Sequence, residues 1–85
     1  MNKRTILERI NLLQEVFAYS LEHQRYLSDS KRICLSQERA AWLEVLESEK
    51  QKPKYEIPNH LELEVQRIAE IIKKTNWVKP EFQPF

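Results

Sequence analysis

The 85-residue chain contains no glycine, and its first proline is Pro53. Glycine and proline are the residues that most often interrupt a helix, so nothing before Pro53 forbids continuous helix. A single helix from Thr5 to Gln51 would be about 70 Å long at 1.5 Å per residue. We therefore expect an all-α protein, in which the positions of the helix ends decide the fold.

A first helix is predicted over Thr5–Leu27. Thr5 and Glu8 have the spacing of a capping box, in which each side chain accepts a hydrogen bond from the other residue's amide. Apolar residues then recur at helical spacing over about half of the circumference, which suits a helix with two neighbours. This stripe and its margin comprise Ile6, Ile10, Leu12, Leu13, Val16, Phe17, Tyr19 and Leu27.

A break is predicted at residues 28–30, Ser-Asp-Ser, because these side chains compete for backbone hydrogen bonds. The apolar stripe also slips by about one residue across this segment. Ser36 then resembles the N-cap of a second helix, which we expect over Gln37–Gln51, ending before Pro53. The bulky core residues here are predicted to be Leu35, Trp42, Val45 and Leu46.

A third helix is predicted over His60–Thr75, after a linker that holds two prolines. Asn59 and Glu62 imitate a capping box with asparagine in the cap position. At the other end, Asn76 is suited to the left-handed conformation that terminates many helices. Because short connections favour antiparallel neighbours, the sequence predicts a small antiparallel three-helix unit.

The helical domain is expected to occupy residues 1–76 and to be followed by an extended tail rich in proline and aromatic residues, 77–85. The tail holds Trp77, Phe82 and Phe85. Burying each of these rings is worth about 2 to 3 kcal/mol, so we expect them to be covered. The cover is either the chain's own bundle or a groove on a partner or second protomer.

Composition limits the compartment and the kind of partner. Lys and Arg number 14 and Asp and Glu number 13, so no strong field attracts nucleic acid or anionic lipid. Cys34 is the sole cysteine, which excludes an intrachain disulfide and indicates a reducing cytoplasm. Glu8, Arg9 and Asn11 interrupt the apolar run of a signal peptide. No stretch approaches the roughly 20 apolar residues of a membrane span.

Catalytic, cofactor-binding and metal-ligating residues are not identified. His23 and His60 have charged sequence neighbours, which is typical of surface histidines, and Cys34 lies in an apolar stretch that favours a packing role. A dyad of Cys34 with either histidine is the competing interpretation. Zinc needs about four N or S ligands, and a phosphate-binding loop needs glycine. We therefore expect neither enzymatic activity nor a cofactor.

A helical nucleic-acid-binding regulator is the alternative function. Two basic clusters favour it: Lys31 with Arg32, and the linker set Lys50, Lys52 and Lys54. Acidic residues alternate with the linker set, and the connection before helix three is about twice the three or four residues of a helix-turn-helix. The outward face of helix three carries both signs of charge. A nucleic-acid partner is therefore not expected.

By elimination, the sequence indicates a non-enzymatic protein–protein interaction module, such as a small adaptor, inhibitor or accessory subunit. Self-association as a homodimer is a further expectation. The candidate contact residues are Tyr19, Tyr26, Trp77, Phe82 and Phe85. For Tyr19 and Tyr26, at the edge of the first apolar stripe, a role at the core margin and a role in a contact patch both stay open.

Overall fold

The computed structural model describes residues 2–49 and 51–78, which form three helices and no strand. They are α1 (Lys3–Glu22), α2 (Asp29–Ser48) and α3 (Asn59–Thr75). The predicted all-α three-helix fold is confirmed. Helix α1 packs against both of the others.

The helices run up, down and up. The start of α1 shares a groove with Val45 and Leu46 near the end of α2, so these two helices are antiparallel. Helix α3 runs alongside α1 in the same direction, because Arg9 meets Glu62 near their starts and Glu22 meets Trp77 near their ends. Consecutive helices are therefore antiparallel, as the sequence predicts.

One apolar core joins the three helices and the linker. Its residues are Ile6, Ile10, Leu13, Val16, Tyr19, Leu27, Leu35, Trp42, Val45, Ile57, Leu61, Val65, Ile68 and Ile72. The slip in the apolar stripe is present: Leu35 is fully buried, whereas its neighbour Cys34 is half-buried. Trp42 is a core residue, as expected, and Leu46 is partly buried.

Helix α1 begins and ends earlier than predicted. The N-cap is Asn2, whose side-chain Oδ1 accepts hydrogen bonds from the Thr5 amide at 2.8 Å and the Thr5 hydroxyl at 2.9 Å. Thr5 is therefore not the cap, and Glu8 instead pairs with Arg4. The predicted end at Leu27 is also wrong, because the helix stops at Glu22 and His23 occupies the C-cap.

Helix α2 begins at Asp29, so the predicted N-cap at Ser36 is wrong. Ser28 is the cap, and its hydroxyl accepts from the Lys31 amide at 3.4 Å. The interruption between α1 and α2 therefore ends at Ser28, and the other two residues of the Ser-Asp-Ser segment belong to α2. Helix α2 ends at Ser48, and Glu49 has the left-handed φ of 57° that terminates it.

Helix α3 matches the prediction to within one residue at its start. Pro58 is the N-cap, and its carbonyl accepts from the amides of Leu61 and Glu62 at 3.0 Å each. Asn59 is thus the first helical residue rather than the cap. The end at Thr75 is confirmed, and Asn76 adopts the predicted left-handed conformation with φ 53°.

Candidate functional site

A buried carboxylate connects two of the helices and the linker. Glu38 on α2 is 2% exposed and accepts four hydrogen bonds. Its Oε2 accepts from Arg9 Nε at 2.7 Å and from Trp42 Nε1 at 2.8 Å. Its Oε1 accepts from Arg9 Nη2 at 3.1 Å and from the Ile57 amide at 3.0 Å. One side chain therefore connects α1, α2 and the linker.

Arg9 extends this cluster to α3. Its guanidinium also donates to both carboxylate oxygens of Glu62, with Nη2 to Oε1 at 2.5 Å and Nη1 to Oε2 at 3.1 Å. Glu62 is held from its own helix by Gln66, whose Nε2 donates at 2.6 Å. Arg9 thus forms two bidentate pairs at once, an arrangement that the planar guanidinium permits and a lysine does not.

The electrostatics of the cluster follow from burial and pairing. Burial alone would raise the pKa of Glu38, but hydrogen bonds from Arg9, the Ile57 amide and Trp42 together lower it below its ordinary value. The pKa of Glu62 is lowered in the same way, against its own burial, by hydrogen bonds from Arg9 and Gln66. Burial would lower the pKa of Arg9, but both carboxylates raise it. All three groups are therefore ionised at neutral pH.

This chemistry suits a structural role. A general acid or base works best with a pKa near the operating pH and with a proton that a substrate can reach. Glu38 instead has a lowered pKa, and its two oxygens are already engaged by four donors. A groove of about 330 Å³ passes over the cluster, with Thr5, Glu56 and Asn59 on its rim. We assign the cluster to holding the helices together.

Sequence reasoning missed this cluster. It treated Arg9 as an interruption of a signal sequence and Glu62 as half of a capping box. A signal was nevertheless present, because Glu38 lies three residues after Leu35 and four before Trp42, on the same side of a helix. That position marks a buried carboxylate once α2 is allowed to begin at Asp29.

A second buried cation closes the junction between α1 and α2. Arg32 is 5% exposed, and its Nη1 donates to the carbonyls of Ser20 at 3.1 Å and Leu27 at 2.7 Å. Its Nη2 pairs with Asp29. The carbonyls in the last turn of a helix lack helical partners, so Arg32 satisfies one of them from the next helix.

Aromatic rings gather where α1 and α3 end. Tyr19 is the centre, with ring centroids 4.4 Å from His23, 5.6 Å from Tyr26 and 5.4 Å from Trp77, the last in an edge-to-face contact. The indole Nε1 of Trp77 donates to Glu22 Oε2 at 2.8 Å. We call Tyr19, His23, Tyr26 and Trp77 the aromatic cluster.

The predicted contact residues fall into three groups. Tyr19 is 6% exposed and belongs to the core, and burial, followed by its neighbour Tyr26, raises the pKa of its hydroxyl. Tyr26 and Trp77 are half-buried at the margin of the core. Phe82 and Phe85 lie outside the described residues. The structure therefore brings three of the five predicted residues together.

The three residues considered for catalysis each have a different environment. Cys34 is half-buried beside Tyr55, where a hydrogen bond between them, followed by burial, raises the pKa of the tyrosine hydroxyl. His23 stacks within the aromatic cluster, and His60 is exposed in the first turn of α3. Within residues 2–49 and 51–78, no three His, Cys, Asp or Glu side chains are grouped closely enough to hold a metal ion.

Two lysines of the basic clusters pair with neighbouring acidic residues. Lys31 Nζ lies 2.9 Å from a Glu64 oxygen, and Lys54 Nζ lies 3.1 Å from a Glu44 oxygen. Arg32 is buried, as described above, and is not available to a phosphate. Lys50 lies outside the described residues.

Comparison of this chain with protein-family models, with curated proteins and with solved structures finds no match. Among the described residues, none of the helices is long and apolar enough to span a membrane. The chain is thus placed in the class of small three-helix domains by its fold, and a functional hypothesis has to come from its own residues.

Proposed function

We propose that this chain is a non-enzymatic protein–protein interaction module, of the kind that serves as a small adaptor, inhibitor or accessory subunit. The observation that carries the proposal is the aromatic cluster where α1 and α3 end. Its last member, Trp77, is followed in the sequence by Val78, which is 81% exposed. Protein interfaces are enriched in aromatic residues, and a few such anchors supply most of the binding energy.

The proposed contact surface has a rigid part and a part known from sequence alone. Tyr26 and Trp77 are the rigid part, since Tyr19 supports both rings from beneath and Glu22 fixes the indole. Phe82 and Phe85 continue the aromatic series in the sequence. Pre-positioned rings lose little conformational entropy on binding, which favours their use as anchors.

The charges of the described residues support a protein partner over nucleic acid. Affinity for nucleic acid comes mainly from lysine and arginine side chains that neutralise phosphates. Lys31 and Lys54 are already paired with carboxylates, and Arg32 is buried. The protein partner in this proposal is either a second copy of the chain or a different protein. Sedimentation equilibrium of the purified chain distinguishes the two cases.

The proposal is tested by capture followed by titration. The full chain is immobilised, proteins from the native host are captured and identified, and each purified candidate is titrated against four forms of the chain. The forms are the unchanged chain, Phe82→Ala/Phe85→Ala, Trp77→Ala, and the control Leu63→Ala, which removes an exposed side chain on α3.

We expect the control to bind as the unchanged chain does. Each aromatic variant should raise Kd at least about tenfold, the equivalent of about 1.4 kcal/mol for a lost anchor. If every candidate binds the aromatic variants and the control equally well, the proposed contact surface is wrong. If none binds the unchanged chain in titration and sedimentation gives a monomer, the proposed function is wrong.

A further inference from the structure

A small open groove lies between α3 and the connection that joins α1 to α2. Its volume is about 180 Å³, and its lining comprises Tyr26, Glu64, Arg67, Ile68 and Ile71. Ile68 is 2% exposed, whereas Tyr26 and Ile71 are half-buried, so these three side chains give the groove an apolar wall. An apolar cavity of about 150 Å³ holds a benzene molecule. The groove therefore has room for one apolar side chain of medium size, such as leucine.

The carboxylate in the lining is already neutralised. Lys31 Nζ lies 3.0 Å from Oε1 and 2.9 Å from Oε2 of Glu64. This ion pair joins the first turn of α2 to α3 at one side of the groove. The charge that the lining still offers to a ligand is therefore the positive charge of Arg67.

Two arginines stand beside the apolar wall. Arg67 is an exposed residue of α3. On the side of the connection, Arg25 Nη2 donates to the Tyr26 hydroxyl at 3.0 Å, and its Cζ lies 4.9 Å from the centroid of the same ring. In the described part of the chain, neither guanidinium forms an ion pair with an acidic side chain. Guanidinium groups bind carboxylates through two parallel hydrogen bonds, so both are suited to an acidic ligand.

We propose that this groove binds a segment of a protein partner in which one apolar residue is flanked by acidic residues. The apolar side chain enters the groove beside Tyr26, Ile68 and Ile71, and the carboxylates pair with Arg25 and Arg67. Complementary charges of this kind select the partner and speed its association. The inference rests on the proposed function, because it names the chemistry that the Tyr26 part of the contact surface recognises.

Nucleic acid is the rival occupant, because phosphates also pair with arginine. Its affinity comes from several cations that neutralise successive phosphates. The groove offers two arginines and a wall that is mainly apolar, and such a wall adds affinity only for a ligand that buries apolar surface. An acidic and apolar peptide uses both features of the groove, whereas a phosphate uses the arginines alone.

The proposal is tested by nuclear magnetic resonance titration of the full, isotope-labelled chain. The first ligand is the capped peptide acetyl-Asp-Leu-Asp-amide. Acetyl-Asn-Leu-Asn-amide removes its charges, acetyl-Asp-Ala-Asp-amide removes its apolar side chain, and inorganic phosphate represents the rival occupant, all at one ionic strength. The titrations are repeated with Arg67→Gln and with the matched control Arg4→Gln, which removes the same charge from an exposed position in the first turn of α1.

We expect the acidic leucine peptide to shift the amide signals of Tyr26, Ile68 and Ile71 with a Kd in the millimolar range. It should bind at least about fivefold more tightly than either altered peptide. Arg67→Gln should weaken its binding at least about threefold, the range of one exposed ion pair, and Arg4→Gln should leave it unchanged.

The proposed occupant is wrong if the acidic leucine peptide shifts none of these signals at millimolar concentration. It is equally wrong if the neutral or the alanine peptide binds as well, or if Arg67→Gln has no more effect than Arg4→Gln. Phosphate that shifts the same signals with the same affinity would assign the two arginines to phosphate groups instead. No partner protein is present in these titrations, so a negative result leaves the capture experiment, and with it the proposed function, unaffected.

Discussion

Substituting Glu38 with glutamine should be the most damaging conservative change in this chain. The substitution keeps the size of the side chain but replaces one carboxylate oxygen with an amide that donates hydrogen bonds. Either orientation of the amide leaves one Arg9 bond unmade. In each orientation the side-chain amide group also faces a second donor. That donor is Trp42 Nε1 in one orientation and the backbone N–H of Ile57 in the other.

The magnitude follows from these losses. Removing one partner of a buried ion pair costs about 3 to 5 kcal/mol, because the remaining charge is left in a poorly solvated site. Glu62 continues to pair with Arg9 and limits this cost, but a buried donor without an acceptor adds about 1 to 3 kcal/mol. We expect a net loss of about 3 to 4 kcal/mol in the free energy of unfolding. Small domains have only about 5 to 15 kcal/mol in total.

Urea unfolding monitored by circular dichroism, with linear extrapolation to water, measures this loss. Glu62→Gln is the matched control, since it removes the other carboxylate that Arg9 binds, at a position that is one-third exposed. We expect about 1 kcal/mol for the control, the range of a partly exposed pair. If the two variants lose equal stability, the buried carboxylate is not the centre of the cluster, and the argument from its four donors is wrong.

Three further predictions follow from the described contacts. Stability should fall as pH drops below about 4.5, because the folded pKa values of Glu38 and Glu62 lie below that ordinary value and the unfolded chain binds protons first; acid titration of Glu38→Gln should show a shallower fall. Arg32→Met should lower the free energy of unfolding by about 2 kcal/mol in urea, since the carbonyls of Ser20 and Leu27 lose their buried donor; a change under about 0.5 kcal/mol would contradict this role. Retention of the unchanged chain on duplex DNA should be weak at physiological salt, because Lys31 and Lys54 are already paired; tight, salt-sensitive retention would favour the alternative function.

The number and type of the helices could be predicted from sequence because they depend on local patterns. The apolar stripe of α3 and the left-handed Asn76 are local signals, and both agree with the structure to within one residue at the helix ends. The junction of α1 and α2 could not be placed the same way. Ser28 and Ser36 are equally good N-caps by residue type. What distinguishes them is Arg32, which reaches back to the carbonyls of Ser20 in α1 and Leu27 in the connection. That contact is tertiary and has no local signature.

The Arg9 cluster also explains how so small a chain specifies one arrangement. Apolar stripes alone tolerate a slide of one helical turn, about 5.4 Å, because leucine, isoleucine and valine exchange contacts at little cost. Arg9 removes that freedom, since only one alignment places Glu38 of α2 and Glu62 of α3 on the same guanidinium. A slide of either helix would separate a carboxylate from Arg9, and for Glu38 the penalty of several kcal/mol is comparable with the stability of a small domain. The apolar residues therefore drive the helices together, and the ion pairs of Arg9 determine their register.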